Sequence, residues 1–432
     1  MKEGRTMRAL LRPVRNLCAC AAVLAVLLGA FPHASHAQQG PSNQVPGEIA
    51  VKLAHAGDLP GVAAAYGLDP TPLSQFGSRP IYLLHILGGA SPNDLASTML
   101  GDKRVVYAEP NIQFQSPEAR QAYSWAVGGD AGAYVAQWAP ALIRLPAAQR
   151  ITRGTGITVA VLDTGVDRTH PALVGHLLPG YDFVDMDSDP SEVGVVGQDL
   201  AFGHGTHVAG LVALAAPGAK ILPLRVLDQH GVGNIWVLTE ALAYAMNPDG
   251  NPATHDGADV INLSLSITTD SRLLRDTIKA VTCADPQPAP GDIPCLAPDG
   301  RGAVVVEAAG NAGSTTPEYP AGDSIRGAIT VGASTQGDSL APFSNRGSWV
   351  TIAAPGDHIL SSVPGGLYAT WSGTSMAAPL VAGAAALVRA AFPTLEPAKV
   401  VDRLVGTSAN IGGPVSHRVD TAAALLQTGG GK

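Results

Sequence analysis

The sequence predicts an α/β fold, a doubly wound and mostly parallel sheet with helices on both faces, preceded by a small α+β unit. Three observations predict it. Beyond residue 154, apolar runs at 154–163, 220–227, 260–265, 303–309 and 328–333 recur without alternation, the pattern of parallel strands buried on both sides. Among them, 236–246 and 273–281 read as helices. Before residue 115, short segments follow the order β-α-β-α-β, that of a small α+β sandwich.

At 432 residues the chain is long enough for more than one domain and a large core. Its net charge is −8 and basic runs are absent after the N-terminus, which argues against a nucleic-acid partner. Its 50 glycines and 34 prolines are dispersed, as in a protein with many tight loops rather than a disordered one. No internal repeat or heptad pattern is visible.

The N-terminus reads as a processing signal, expected over 1–37. Lys2, Arg5, Arg8, Arg12 and Arg15 form a basic region, 17–31 an apolar one, and Ser35-His36-Ala37 offers small residues to a signal peptidase. The apolar run falls short of the ~20 residues of a spanning helix. Export to the periplasm or the outside is expected, with no membrane contact after cleavage. Cys18 and Cys20 leave with the signal. Cys283 and Cys295 bracket a proline-rich loop and remain as one pair in an oxidising compartment, where a disulfide is expected.

In the unit at 38–115, strands are expected at 47–53, 80–87 and 104–111. Helices are expected at 59–66 and 93–100, the second opened by Ser91 as N-cap. From 116 to 136 periodicity is lost and Gly, Ala and Ser accumulate, so the stretch reads as a linker. A larger domain is expected over 137–427, followed by a Gly-rich tail at 428–432.

Four residues in the larger domain carry chemistry. Asp163 ends the first apolar run, at the C-terminal end of a parallel strand, where ligand and catalytic groups collect in open sheets. Gly203 and Gly205 permit a tight turn that presents His204 at a helix start. His207, one turn on, reads as a packed structural histidine, because the acid partner of a zinc helix is missing. Asn311 follows the run at 303–309. Ser375 opens a buried helix whose N-terminal N–H groups favour negative charge. Pro379 cannot donate to the first turn, which frees a carbonyl near Ser375. Met376, beside the serine, places a thioether in reach of oxidants. Together these residues supply an acyl-transfer site. Ser375 is the nucleophile, His204 the base, Asp163 the group that orients the imidazole, and Asn311 with the Ser375 N–H the oxyanion hole.

The chain order Asp, His, Ser is that of subtilisin. The segment from about 137 to 426 resembles the subtilisin-like serine proteases. The resemblance rests on Val161-Leu162-Asp163-Thr164-Gly165, His204-Gly205-Thr206-His207-Val208-Ala209-Gly210, Ala309-Gly310-Asn311 and Gly373-Thr374-Ser375-Met376-Ala377-Ala378-Pro379. It implies a serine endopeptidase acting on protein or peptide substrates. It also implies that Ser264, Leu265 and Ser266 wall the first specificity pocket, with Ala308, Ala309 and Gly310 opposite, and that Gly231, Val232 and Gly233 form a second substrate strand. Substrate would then be held by added β-pairing. Ser266 stands where the family has glycine and narrows the pocket. Glu307 precedes the other wall, where small residues are usual, and is a weak candidate for favouring basic residues.

The N-terminal unit looks like the family's propeptide, an intramolecular inhibitor and folding chaperone, with self-cleavage expected between about 115 and 136. No cofactor is required on this reading. Asp182, Asp185, Asp187 and Asp189 are weak candidates for a structural calcium site, against a solvated acidic loop. A monomer is expected. The competing reading is a latent or non-catalytic secreted binding protein on the same scaffold.

Overall fold

The computed structural model describes residues 43–121, 126–196, 198–285, 288–289 and 291–426. The expected signal segment and the Gly-rich tail lie outside the described residues.

The N-terminal unit begins with strand β1 (Gln44–Leu53) and helix α1 (Leu59–Tyr66), followed by the two-residue strand β2 (Ser74–Gln75). Strand β3 (Ile81–His85), helix α2 (Pro92–Met99) and strand β4 (Val105–Gln115) complete it. The β-α-β-α-β expectation holds, with β2 added on the edge of β3. Strand β1 is central and antiparallel to both β3 and β4, with Ile49 opposite Leu84 and Pro110. The two-residue period decides which face each side chain takes. Ile49, Val51 and Leu53 pack with Val62, Leu95 and Met99 of the two helices. Ala50, Ile81 and Tyr107 instead join the apolar cluster of the larger domain.

The stretch expected to be a linker is largely structured. Helix α3 (Pro117–Gln121) follows β4 directly, and strand β5 (Ala126–Val127) and helix α4 (Ala131–Ala136) come after it. Ser116, Pro117 and Glu118 supply a helix start of cap, proline and acid, a local signal too short to register as periodicity. Strand β5 is held by pairing with a distant strand, which no local pattern announces.

The larger domain opens with the short helices α5 (Trp138–Leu142) and α6 (Leu145–Ala148), then strands β6 (Thr158–Asp163) and β7 (Tyr181–Asp182). Helix α7 (His204–Ala215), strands β8 (Lys220–Arg225) and β9 (Val232–Asn234), and helix α8 (Ile235–Ala245) follow. Next come β10 (Val260–Leu263), α9 (Arg272–Thr282), β11 (Val304–Ala308), β12 (Ala328–Ser334), β13 (Ile352–Pro355), β14 (Ile359–Val363) and β15 (Leu367–Trp371). Helices α10 (Thr374–Ala391) and α11 (Pro397–Gly406), strands β16 (Ala409–Asn410) and β17 (His417–Arg418), and helix α12 (Thr421–Leu426) close the chain.

The main sheet runs in the order β16-β17-β13-β12-β11-β10-β6-β8-β7. All its pairs are parallel except β16 with β17. Both faces are buried, which accounts for the unalternating apolar runs. Val159, Val161, Val304 and Val306 face α7 and α10, whereas Ala160, Leu162, Ile261 and Val305 face α8 and α9. Helix α10 is long and apolar enough to cross a membrane, but it is buried as the core helix of the domain. Gly383 lets it approach α7, since a Cβ there would lie 2.2 Å from Ala215 Cβ.

The two units meet through β4. It pairs antiparallel with β9, Gln113 opposite Asn234 and Gln115 opposite Val232, so the five-stranded sheet reads β2-β3-β1-β4-β9. Two of its side chains also serve helices of the larger domain. Glu109 accepts hydrogen bonds from Ser271 Oγ (2.5 Å), Arg272 N (2.9 Å) and Leu273 N (3.2 Å) at the start of α9. Asn111 Oδ1 accepts from Trp236 N at 3.2 Å, at the start of α8. The disulfide between Cys283 and Cys295 forms as expected and closes the loop after α9.

Candidate active site

Four elements bring the predicted residues together at the C-terminal ends of the central strands. Asp163 is the last residue of β6, His204 the first of α7, and Asn311 follows β11. Ser375 lies in the first turn of α10, after Gly373. Gly203 precedes α7 with φ +91°, a left-handed conformation that admits glycine readily and turns His204 inward. Pro379 leaves the Ser375 carbonyl without an intrahelical donor. Ser264 Oγ takes that place, donating to Ser375 O at 2.9 Å, and Ser375 Oγ in turn lies 3.2 Å from Ser264 O.

His204 Nδ1 is 2.7 Å from Asp163 Oδ1. Its Nε2 contacts a residue the sequence reading missed, Glu118 of α3, at 3.1 Å from Oε2. Ser375 Oγ donates to the same oxygen at 2.8 Å. Asn311 Nδ2 donates to Glu118 Oε1 at 2.7 Å, while Asn311 Oδ1 accepts from Thr374 N at 2.9 Å. The serine and the histidine are thus bridged by a carboxylate. Burial disfavours the charge on both partners, yet the hydrogen bonds from His204, Ser375 and Asn311 hold the Glu118 carboxyl below its usual range. Asp163 and Glu118 likewise hold His204 well above the usual imidazole value.

A second missed residue is Glu192. It accepts from Gly203 N at 3.1 Å and Thr206 N at 3.0 Å, capping α7 from a loop, and burial beside Asp163 pushes it up to about 7. His207 is the structural histidine expected. It stacks on Trp371 with ring centroids 5.1 Å apart, its Nε2 meets Ile359 O and Ala369 O, and burial lowers it to about 3.

A profile of the subtilase family (Peptidase_S8) matches residues 154–425. The chain belongs to the subtilase family. Among curated subtilases, it is 39% identical over 295 residues to a thermophilic serine proteinase of Bacillus sp. (strain AK1), a match spanning 66% of this chain and 63% of that one. It is 39% identical over 262 residues to thermitase of Thermoactinomyces vulgaris, spanning 58% of this chain and 81% of that one. Among solved structures, fervidolysin from Fervidobacterium pennivorans, described as a keratinolytic enzyme related to subtilisin, aligns with a TM-score of 0.69 at 25% identity. That alignment covers 89% of this chain and 61% of fervidolysin, a larger share than residues 137–432 supply, so the likeness reaches into the N-terminal unit. A protease of Pseudoalteromonas arctica PAMC 21717 aligns with a TM-score of 0.55 at 32% identity, over 66% of this chain and 93% of the other.

The residues that the subtilase resemblance assigns to substrate lie around this centre. Val232 and Gly233 are in β9 and pair with Gln115 and Phe114, and Gly231 O accepts from Ser116 N at 2.8 Å. Ser264, Leu265 and Ser266 continue from the end of β10, and Ala308, Ala309 and Gly310 from β11. The acid that touches both walls is Glu318 rather than Glu307. Its Oε2 accepts from Ser266 Oγ at 2.5 Å, and a Cβ on Gly310 would lie 2.9 Å from its Oε1. Glu307 is 1% exposed and burial pushes it up to about 8, so at neutral pH it supplies little charge to a pocket. Met376 is also buried, not exposed as expected, because α10 packs it into the core.

The acidic loop is engaged elsewhere. Asp182 and Asp185 pair with Arg225 Nη1, each at 2.5 Å, Asp187 accepts from Asp189 N, and Asp189 pairs with Arg168. Among the described residues no group of three His, Cys, Asp or Glu is placed to hold a metal ion.

Proposed function

We propose that the chain is a secreted serine endopeptidase made as a self-processing precursor. Ser375 Oγ attacks the scissile carbonyl and His204 Nε2 takes its proton, so that a tetrahedral oxyanion forms beside Asn311 Nδ2. Collapse breaks the C–N bond, His204 returns the proton to the leaving amine, and water then releases the acyl group by the same steps. Asp163 holds the imidazole tautomer. The observation that carries this reading is the convergence of Ser375 Oγ, His204 Nε2 and Asn311 Nδ2 on one carboxylate, within 2.7–3.1 Å, with Asp163 2.7 Å behind the imidazole. Residues 38–115 act as the propeptide, a role supported by the β4–β9 pairing and the likeness to fervidolysin across this region. Substrates are proteins or peptides bound in extended form along β9.

The test is mass spectrometry of secreted wild type beside Ser375→Ala, with and without a serine-directed fluorophosphonate. A shortened wild type labelled on Ser375, with an uncut mutant, is the expected result. A wild type that stays full-length and unlabelled at every stage would overturn the reading in favour of a non-catalytic binding protein.

A further inference from the structure

We infer that Glu118 is a latch, a side-chain carboxylate that occupies the place of the reacting carbonyl among Ser375, His204 and Asn311, so that α3 must withdraw before any peptide bond is attacked. The inference rests on the peptidase reading above and adds the group that keeps the precursor silent.

Both carboxylate oxygens are used. Oε2 takes the Ser375 hydroxyl at 2.8 Å and lies 3.1 Å from His204 Nε2. Oε1 takes the Asn311 amide at 2.7 Å. Three functions are blocked at once. The nucleophile's proton is committed to Glu118, the base's Nε2 is engaged by the same carboxylate oxygen, and the side-chain donor of the oxyanion hole is spent. The anion also sits at the N-terminus of the 18-residue helix α10, where the dipole favours it. Glu118 is 8% exposed, so these charge-assisted bonds are little screened.

The placement is built from both sides. The β4–β9 register ends at Gln115, Ser116 N donates to Gly231 O at 2.8 Å, and Pro117 starts α3 at once, which aims Glu118 into the site. Two glycines make the room. A Cβ on Gly373 would lie 2.1 Å from Glu118 Oε1, and one on Gly231 would lie 2.6 Å from Ser116 Oγ.

Glu118→Gln keeps the volume and removes the charge. The initial rate of fluorophosphonate labelling of Ser375 is measured on intact full-length chain, resolved by mass, for wild type and Glu118→Gln. Labelling of the variant precursor should be at least about tenfold faster, the factor expected for losing hydrogen bonds to a charged group. Equal rates would overturn the latch. In a second measurement that needs no variant to fold, a synthetic peptide of residues 109–121 is added to processed wild-type enzyme. The wild-type peptide should inhibit, and the peptide with Gln at 118 should inhibit several-fold less; equal inhibition would also overturn the latch. If the processed chain is not labelled either, the peptidase reading fails and the latch with it, an outcome distinct from equal labelling of two active proteins.

Discussion

At the scale of single residues, Asn311 and His204 make the sharpest expectations. On the peptidase reading Asn311 Nδ2, which donates to Glu118 Oε1, is the side-chain donor for the oxyanion, and its Oδ1 is fixed by Thr374 N and Oγ1. Asn311→Ala should lower turnover about 10²–10³-fold with little change in KM, the loss found on removing the corresponding donor in subtilisin; a change confined to KM would argue that Asn311 only binds substrate. His204 faces Asp163 from β6, Glu118 from α3 and the Trp371 ring from β15, with His207 one turn along its own helix and Glu192 at that helix's start. The Glu118 carboxyl is lowered, so its stabilising contribution is present above its unfolded value and lost as pH falls through the folded one. His204 is raised, so its contribution is present below the unfolded imidazole value and lost as pH rises through the folded one. The pair is therefore intact around neutral pH. Fluorophosphonate labelling of the intact precursor should be slowest there and rise toward alkaline pH, and a rate flat across that range would contradict the charge state drawn here. Asp163, His204 and Ser375 were legible because each ends or begins an element that its own neighbours define. Glu118 was not, because its position is set by the register of β4 on β9, more than a hundred residues away in sequence. Glu192 escaped for a different reason: it caps α7 from a loop 11 residues before Gly203, outside the positions next to a helix start where a cap is looked for.

At the scale of elements, β4 does more than close the N-terminal sheet. Glu109 and Asn111 supply acceptors to the first turns of α9 and α8, where N–H groups lack intrahelical partners. Glu109 is a half-buried acid whose carboxyl pKa desolvation raises, against the lowering effect of the hydrogen bonds it accepts from Ser271, Arg272 and Leu273. Glu109→Ala or Asn111→Ala should each weaken the hold of the N-terminal unit by about 1 kcal/mol, typical for a lost cap. The free unit, added back to processed enzyme, would then inhibit several-fold less well, and unchanged inhibition constants would remove these caps from the account. The strands and helices of this unit were readable from alternation and capping. The docking was not, since a Glu and an Asn on a strand look like ordinary solvent-facing residues until the helices they cap are in place.

At the scale of the whole molecule, the disulfide-closed loop lies against the N-terminal unit. A cavity of ≈ 450 Å³ there is lined by Lys52, Arg79, Ile81 and Val106 on one side and Asp292, Ile293 and Pro294 on the other. Cys283 and Cys295 are 12 residues apart, so closing the loop is expected to contribute about 3 kcal/mol through the unfolded chain. Replacing both cysteines by alanine in a Ser375→Ala background should lower the urea midpoint of the precursor accordingly, and an unshifted midpoint would show that the bridge is idle. The doubly wound sheet itself was legible because burial on both faces writes itself as unbroken apolar runs. The fusion of two sheets through β4 and β9 was not written in either segment alone.

That fusion has a consequence for what the proposed enzyme digests. Once β4 departs, the three residues of β9 become an open edge that accepts only chain already drawn out straight. A folded protein offers such a stretch only in the moments when part of it opens. Among targets of similar sequence, the rate of digestion should therefore rank by the free energy of local opening near the cut, so that the enzyme reads the looseness of its substrate before it reads any side chain.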